Sequence, residues 1–228
     1  MKKNILIFAA LFLVCILKVD LTGASGGLLT YYAYDREGPD EPVISKTFVQ
    51  FKGLPNDQTS ISRKKESRNP TVDDEFILDR DYSLESWKRI CPEEDTDLLS
   101  VRQGDVLIVK GKLKGEMIDK EVELGSEYLY IYPEYSLTKF ALSDMTKIQF
   151  WTLRRDTMSK LPMQAVKKGT KTIMVNGKEV EAIKVYYSIT GKLREKSFNH
   201  NYYYRKSDGL FIKKEEPSGR IEDLVKEE

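Results

Sequence analysis

The chemistry-bearing residues this chain holds in excess are its 13 tyrosines. In EYLYIYPEYSL, Tyr128, Tyr130 and Tyr132 alternate, so in an extended segment they would share one face, with Leu129 and Ile131 on the other. Tyr202 and Tyr204 repeat the pattern in NHNYYYRKSDGLFIKKE, and Tyr203 turns to the opposite side. A tyrosine joins an apolar ring to a hydroxyl that can stay hydrated at a groove mouth, which suits an acyl chain or another amphipathic ligand. Trp151, in IQFWTLRR, has opposite strand parity to Phe150, so only one of the two can face the same concavity. Trp151 joins Tyr128, Tyr130, Tyr132, Tyr202 and Tyr204 as the expected ligand-binding set. The plain alternative for each ring is ordinary sheet packing.

Residues for catalysis are scarce. His200 is the one histidine, between Asn199 and Asn201 in a predicted strand, and spacing places no nucleophile or carboxylate to work with it. Cys91 is followed by Pro92, Glu93, Glu94 and Asp95, an acidic setting that leaves a thiol protonated and inert. No HExxH, CxxC or DxDxDG spacing is present, and no GxGxxG or GxxxxGK[ST] loop to cradle phosphate. The acids Asp73, Asp74, Glu75, Asp79, Asp81, Glu93, Glu94, Asp95 and Asp97 contain the raw material for a glycosidase pair, or for a loose calcium site at Asp95 and Asp97. Acid runs of this kind read first as solvated faces. The expectation is a non-enzymatic protein with no metal and no cofactor.

The start of the chain bears on where it works. Lys2 and Lys3 precede 13 apolar residues, Ile5 to Leu17, and Thr22-Gly23-Ala24 supplies small residues for a signal peptidase. The expectation is a signal peptide over 1–24, cleaved after Ala24, ahead of a single β-rich periplasmic domain over 25–228. The alternative is an uncleaved anchor in the inner membrane with the domain facing the periplasm. Val14 before Cys15, and Ile16-Leu17 after it, do not make a lipidation motif. Losing Lys2, Lys3, Lys18 and Asp20 takes the net charge from +1 to −1, which offers no general pull on nucleic acid or anionic lipid.

Period-two patterning organises the rest. EPVISKTFVQFKG reads as a strand, and DVLIVKGKLKGEMIDKEVELG as short strands cut at Gly104, Gly111, Gly115 and Gly125. Asn176-Gly177, Thr190-Gly191-Lys192 and Ser207-Asp208-Gly209 mark three hairpin turns joining strands at about 171–175, 178–189, 193–205 and 210–214. IQFWTLRR and PMQAVKKG add two more. The uneven parity of Val180, Ala182, Val185, Tyr187 and Ile189 is reconciled by a bulge near Ile183 or Lys184, or by partial cover on both faces. Ser83 to Trp87 reads as one helical turn, and YSLTKFALSDMT as a short helix covering the sheet. The fold expected is mainly β: a large curved antiparallel sheet or unclosed barrel of eight to eleven strands, with one or two short helices packed against it.

The succession LDRDYSLESW, VRQGDVLIVKGKLKG, FALSDMTKIQFWTLRRDTMSKLPMQAVKKG, VNGKEVEAIKVYYSITGKL and YYYRKSDGLFIKKE resembles bacterial exported proteins with a LolA-like lipoprotein-carrier fold. The resemblance covers residues 45 to 214 as a strand-and-turn pattern. It implies a concave aromatic face that shelters acyl chains, and a lipid or lipidated protein as partner. The competing expectation is an envelope scaffold that uses the same face for protein contact. The two differ in whether the interior encloses a continuous apolar cavity or is filled by the chain's own side chains.

Overall fold

The computed structural model describes residues 27–35, 42–67, 70–190 and 199–228. The expected leader over 1–24 and the turn residues Gly191 and Lys192 lie outside them. Eight strands come first: β1 (Leu28–Tyr34), β2 (Ser45–Gly53), β3 (Thr59–Ser67), β4 (Val72–Leu78), β5 (Leu84–Cys91), β6 (Thr96–Gln103), β7 (Val106–Leu113) and β8 (Glu116–Glu123). Two short helices follow, α1 (Pro133–Ser136) and α2 (Thr138–Leu142). The chain then adds β9 (Lys147–Leu153), β10 (Lys160–Val175), β11 (Lys178–Ile189), β12 (His200–Arg205), β13 (Phe211–Glu215) and β14 (Ile221–Glu227).

Among the described residues these 14 strands form one antiparallel sheet, in the order β8-β7-β6-β5-β4-β3-β2-β1-β14-β13-β12-β11-β10-β9. Two meanders, one from each half of the chain, are joined where β1 pairs with β14. The sheet curls into an unclosed barrel, as expected, but with more strands than the turn signals suggested. Its two edges, β8 and β9, are consecutive in the chain, so the segment that links them also lies over the gap. Leu129 pairs with Trp151 in an isolated parallel bridge, and the Leu84 amide donates to the Leu129 carbonyl at 2.9 Å. The Lys120 ammonium reaches the Thr157 carbonyl at 3.1 Å.

Alternation explains most strands. In VDDEFIL, Val72, Asp74, Phe76 and Leu78 are buried while Asp73 and Glu75 face water, the period of a half-buried strand. The two hairpin turns that fall among the described residues stand where expected. Asn176 and Gly177 have φ of +51° and +73°, the left-handed pair of a tight two-residue turn, and Gly209 has +73°.

Four local expectations change. Ser83 to Trp87 is no helical turn: Leu84 to Trp87 opens β5, because Leu84 and Trp87 are core residues and their backbone pairs with β4. Gly111 does not break the chain but lies within β7 opposite Leu98, where a Cβ would meet the Asp97 carbonyl at 2.2 Å. PMQAVKKG and 171–175 are one strand, β10, and the irregularity expected in β11 is in this partner. Lys168 and Gly169 together stand against Lys184, and Gly169 at φ +94° takes up the slip. EYLYIY is not a regular strand, since its backbone turns into α1 and buries both parities, Leu129 and Ile131 as well as Tyr130 and Tyr132.

The linking segment fills the barrel. Phe76 of β4 stacks on Tyr132 at 4.9 Å and on Tyr135 at 5.9 Å, and Phe51 of β2 meets Tyr135 edge-on at 5.7 Å. The Tyr204 hydroxyl donates to the Pro133 carbonyl at 2.6 Å, tying α1 to β12. Tyr31 donates to the Phe211 carbonyl at 3.0 Å while the two rings stack at 5.3 Å. Hydroxyls buried this deeply need such partners, because an unbonded one keeps its desolvation cost.

Candidate functional site

The structure separates the expected ligand-binding set. Tyr202 and Tyr204 both face the interior, where Tyr202 packs edge-on to Tyr187 at 5.5 Å and Tyr204 lies against Phe211 at 6.1 Å. Tyr132 is also interior, and Tyr130 is buried against Phe150 at 4.7 Å. Tyr128 stays 39% exposed and stacks on Tyr130. Trp151 is half-buried on the gap, under the Lys160 ammonium at 4.6 Å. Apart from the Tyr128–Tyr130 stack, these rings pack against other side chains and the linking segment rather than lining a common open face.

What collects instead at one end of the barrel interior is charge. Register puts Arg63 of β3 opposite Asp74 of β4, and Asp74 opposite Arg89 of β5, an Arg-Asp-Arg row across three strands. The Asp74 carboxylate accepts from Arg63 at 2.9 Å, Arg89 at 3.3 Å, the Trp87 indole at 3.0 Å and the Tyr132 hydroxyl at 2.6 Å. Burial works against its ionisation, but the two guanidiniums and the Tyr132 bond outweigh it and hold the carboxyl below its ordinary value. Burial raises the Tyr132 hydroxyl to about 12, so it remains a donor. Arg155, on the exposed turn between β9 and β10, sends its guanidinium back to within 4.6 Å of the Tyr132 ring.

A second row, Tyr202-Lys214-Glu222-Ala33-Ser45, crosses β12, β13, β14, β1 and β2 at the same end. The Lys214 ammonium lies 3.0 Å from Glu216, 3.6 Å from Glu222 and 3.8 Å from Glu134 of α1. Glu222 also accepts from the Thr47 hydroxyl at 3.1 Å. Burial opposes the charge on Glu216 and on Glu222, yet Lys214 keeps both carboxyls low. His200 is held neutral by burial and by Lys214. Burial depresses Lys65, in β3 opposite Thr47, to about 8.

Asp74 has its lone pairs taken by four donors, and the Cys91 thiol is buried, which raises it. Two of the acids read as solvated, Asp79 and Asp81, do line an open polar groove of 610 Å³ with Glu85 and Glu127. Asp74 departs from that reading and is a core residue. Asp95, half of the calcium suggestion, pairs with Lys112 at 2.7 Å. Arg63, Lys65, Arg89, Glu134, Arg155, Lys214 and Glu222 belong to no sequence motif. Their signal in the sequence is parity: Ile61, Arg63 and Lys65, like Val72, Asp74 and Phe76, put charge on the apolar side of a strand.

No protein-family model and no curated protein matches this chain. Solved structures do. A β-barrel-like protein of a domain of unknown function, DUF1849, from Brucella abortus is 11% identical, with a TM-score of 0.55 over 89% of this chain and 97% of its own. The hypothetical lipoprotein YmcC of Escherichia coli is 10% identical with a TM-score of 0.38, over 88% and 87%. A protein from Parabacteroides distasonis described as a putative lipoprotein is 10% identical with a TM-score of 0.34, over 89% and 95%. The Brucella likeness covers nearly the whole of both chains, and what the two share is a β-barrel-like fold.

Proposed function

We propose that this is a non-enzymatic envelope protein whose barrel is a filled scaffold and whose contacts are made on its outside. The supporting observation is that Tyr132, Tyr135 and Phe140 occupy the concave side, where a carrier needs continuous apolar space. The envelope part of the reading rests on the basic start and the apolar run before residue 24. A fluorescent fatty-acid probe is the direct test. The scaffold reading expects the double variant Tyr202→Ser, Tyr204→Ser to lose stability and to leave probe affinity unchanged. Saturable probe binding that this variant abolishes while still folded would restore the carrier reading.

A second reading, ligand binding of the LolA-like kind moved to the outer surface, is favoured by one groove. It measures 400 Å³ between β2, β1 and β14, with Leu28, Tyr32, Phe48 and Val225 as apolar lining, Lys46 beside them, and Lys226 there paired with Glu228. One apolar chain with an anionic head matches that layout. Phe48→Ser, which leaves the interior untouched, should then weaken probe binding.

A further inference from the structure

The barrel wall sorts its side chains by parity. In β1, Leu29 and Tyr31 are core while Leu28 and Tyr32 point outward; Val49 and Phe48 divide in the same way on β2, and Leu224 and Val225 on β14. Next door, the outward positions carry charge: Lys64 and Glu66 on β3, Asp73 and Glu75 on β4. Leu28, Tyr32, Phe48 and Val225 instead line one groove of 400 Å³, and Leu28 is 37% exposed. Leu28 is also where the chain enters the barrel. The apolar run Ile5 to Leu17 ends 11 residues before it, and a segment of that length spans at most about 40 Å.

We infer that the outer face of β2, β1 and β14 is the side of the barrel that meets the membrane, its groove seated on lipid acyl chains at the bilayer surface. The tether brings this face to the bilayer first. Thirteen apolar residues fall short of the roughly 20 that a spanning helix uses, so a second contact adds to the hold of the run itself. The inference rests on the uncleaved-anchor expectation for that run, and it shares the groove, but not a carried ligand, with the second reading above.

The side chains suit an interface between hydrocarbon and headgroups. Leu28, Phe48 and Val225 lose water there, and Tyr32 keeps its hydroxyl at headgroup level. The Lys46 ammonium lies 5.3 Å from the Tyr32 ring, so its stem covers the ring while its charge stays in the headgroup layer. Lys226 is paired with Glu228, and Lys64 with Glu66 at 3.0 Å, so the contact is apolar and not that of a basic patch. High salt should leave it intact.

Tryptophan fluorescence of the full chain in phosphatidylcholine vesicles, with and without bromine on the acyl chains as a short-range quencher, tests this. Phe48→Trp and Leu28→Trp each place a reporter in the groove, so one remains if the other misfolds. Leu99→Trp places it on β6, at an exposed position five strands round the wall from β1. The unsubstituted chain, with Trp87 in the core and Trp151 on the gap, supplies the background. The added emission at 48 and 28 should be blue-shifted and lost in brominated vesicles, at high salt as at low, while that at 99 persists. Equal quenching at all three positions, none at 48 and 28, quenching that high salt abolishes, or a chain that does not float with the vesicles would each overturn the inference. Fatty-acid probe binding without this quenching would overturn it too and leave the second reading standing; quenching without probe binding would do the reverse.

Discussion

The Tyr132 hydroxyl donates to Asp74 at 2.6 Å from 58 residues further along the chain. That bond joins the segment filling the barrel to the Arg-Asp-Arg row in its wall. Removing the phenol oxygen by Tyr132→Phe should cost about 1–3 kcal/mol, measured as a lower midpoint in urea with an unchanged slope.

Asp74→Ala removes the carboxylate that Arg63 and Arg89 share. Breaking a buried pair from one side typically costs about 3–5 kcal/mol, and here two guanidiniums lose their partner. The prediction is a destabilisation larger than that of Tyr132→Phe, with partial recovery when Arg63→Met is added, read from denaturant melts.

The carboxyls of Asp74, Glu216 and Glu222 are all held low in the fold. The stability they contribute is therefore fully present above the ordinary carboxylate range, near about pH 4, and is lost as pH falls through their lower native values. Urea midpoints followed from neutral to acid should drop steeply below that range, and Asp74→Asn should flatten the curve.

Lys65 works in the other direction. Its native value, about 8, lies below the ordinary 10.5, so between those values the unfolded chain takes up a proton that the fold does not. Stability should fall as pH drops through that window and stay reduced below it. Lys65→Met should raise the melting temperature at neutral pH and remove that part of the pH dependence.

Gly111 sits at φ +123° with its missing Cβ 2.2 Å from the Asp97 carbonyl. Because that neighbour is backbone, Gly111→Ala should force β6 and β7 apart and cost about 1–3 kcal/mol or more. Gly104→Ala, with nothing within 4 Å, should cost less, since only its φ of +60° resists the side chain. Comparing the two melts separates crowding from backbone strain.

Strand periodicity and turn chemistry are local properties, so the amino-acid order alone carries them. β11 runs over the same residues, 178 to 189, that its pattern marks, and Asn176-Gly177 turns the chain where such a pair must. The helix expected in YSLTKFALSDMT is there as α1 and α2. A large, curved, antiparallel sheet follows from the same signals, because every strong turn signal is short and leaves no room for a crossover between parallel strands.

What the inside of the curve contains was settled by packing between distant parts of the chain. Alternation shows that Tyr202 and Tyr204 share a face, but the same alternation serves a ligand cavity and a packed core; the choice fell to a segment 71 residues away, when Pro133 accepted the Tyr204 bond. Asp74 shows the same limit. In VDDEFIL it stands among acids that read as solvated, and its burial depends on Arg63, Arg89, Trp87 and Tyr132 arriving together from β3, β5 and the linking segment. A buried carboxylate is tolerable only when all its partners are in place, and no local pattern encodes partners that the register of three strands and one inserted segment must supply.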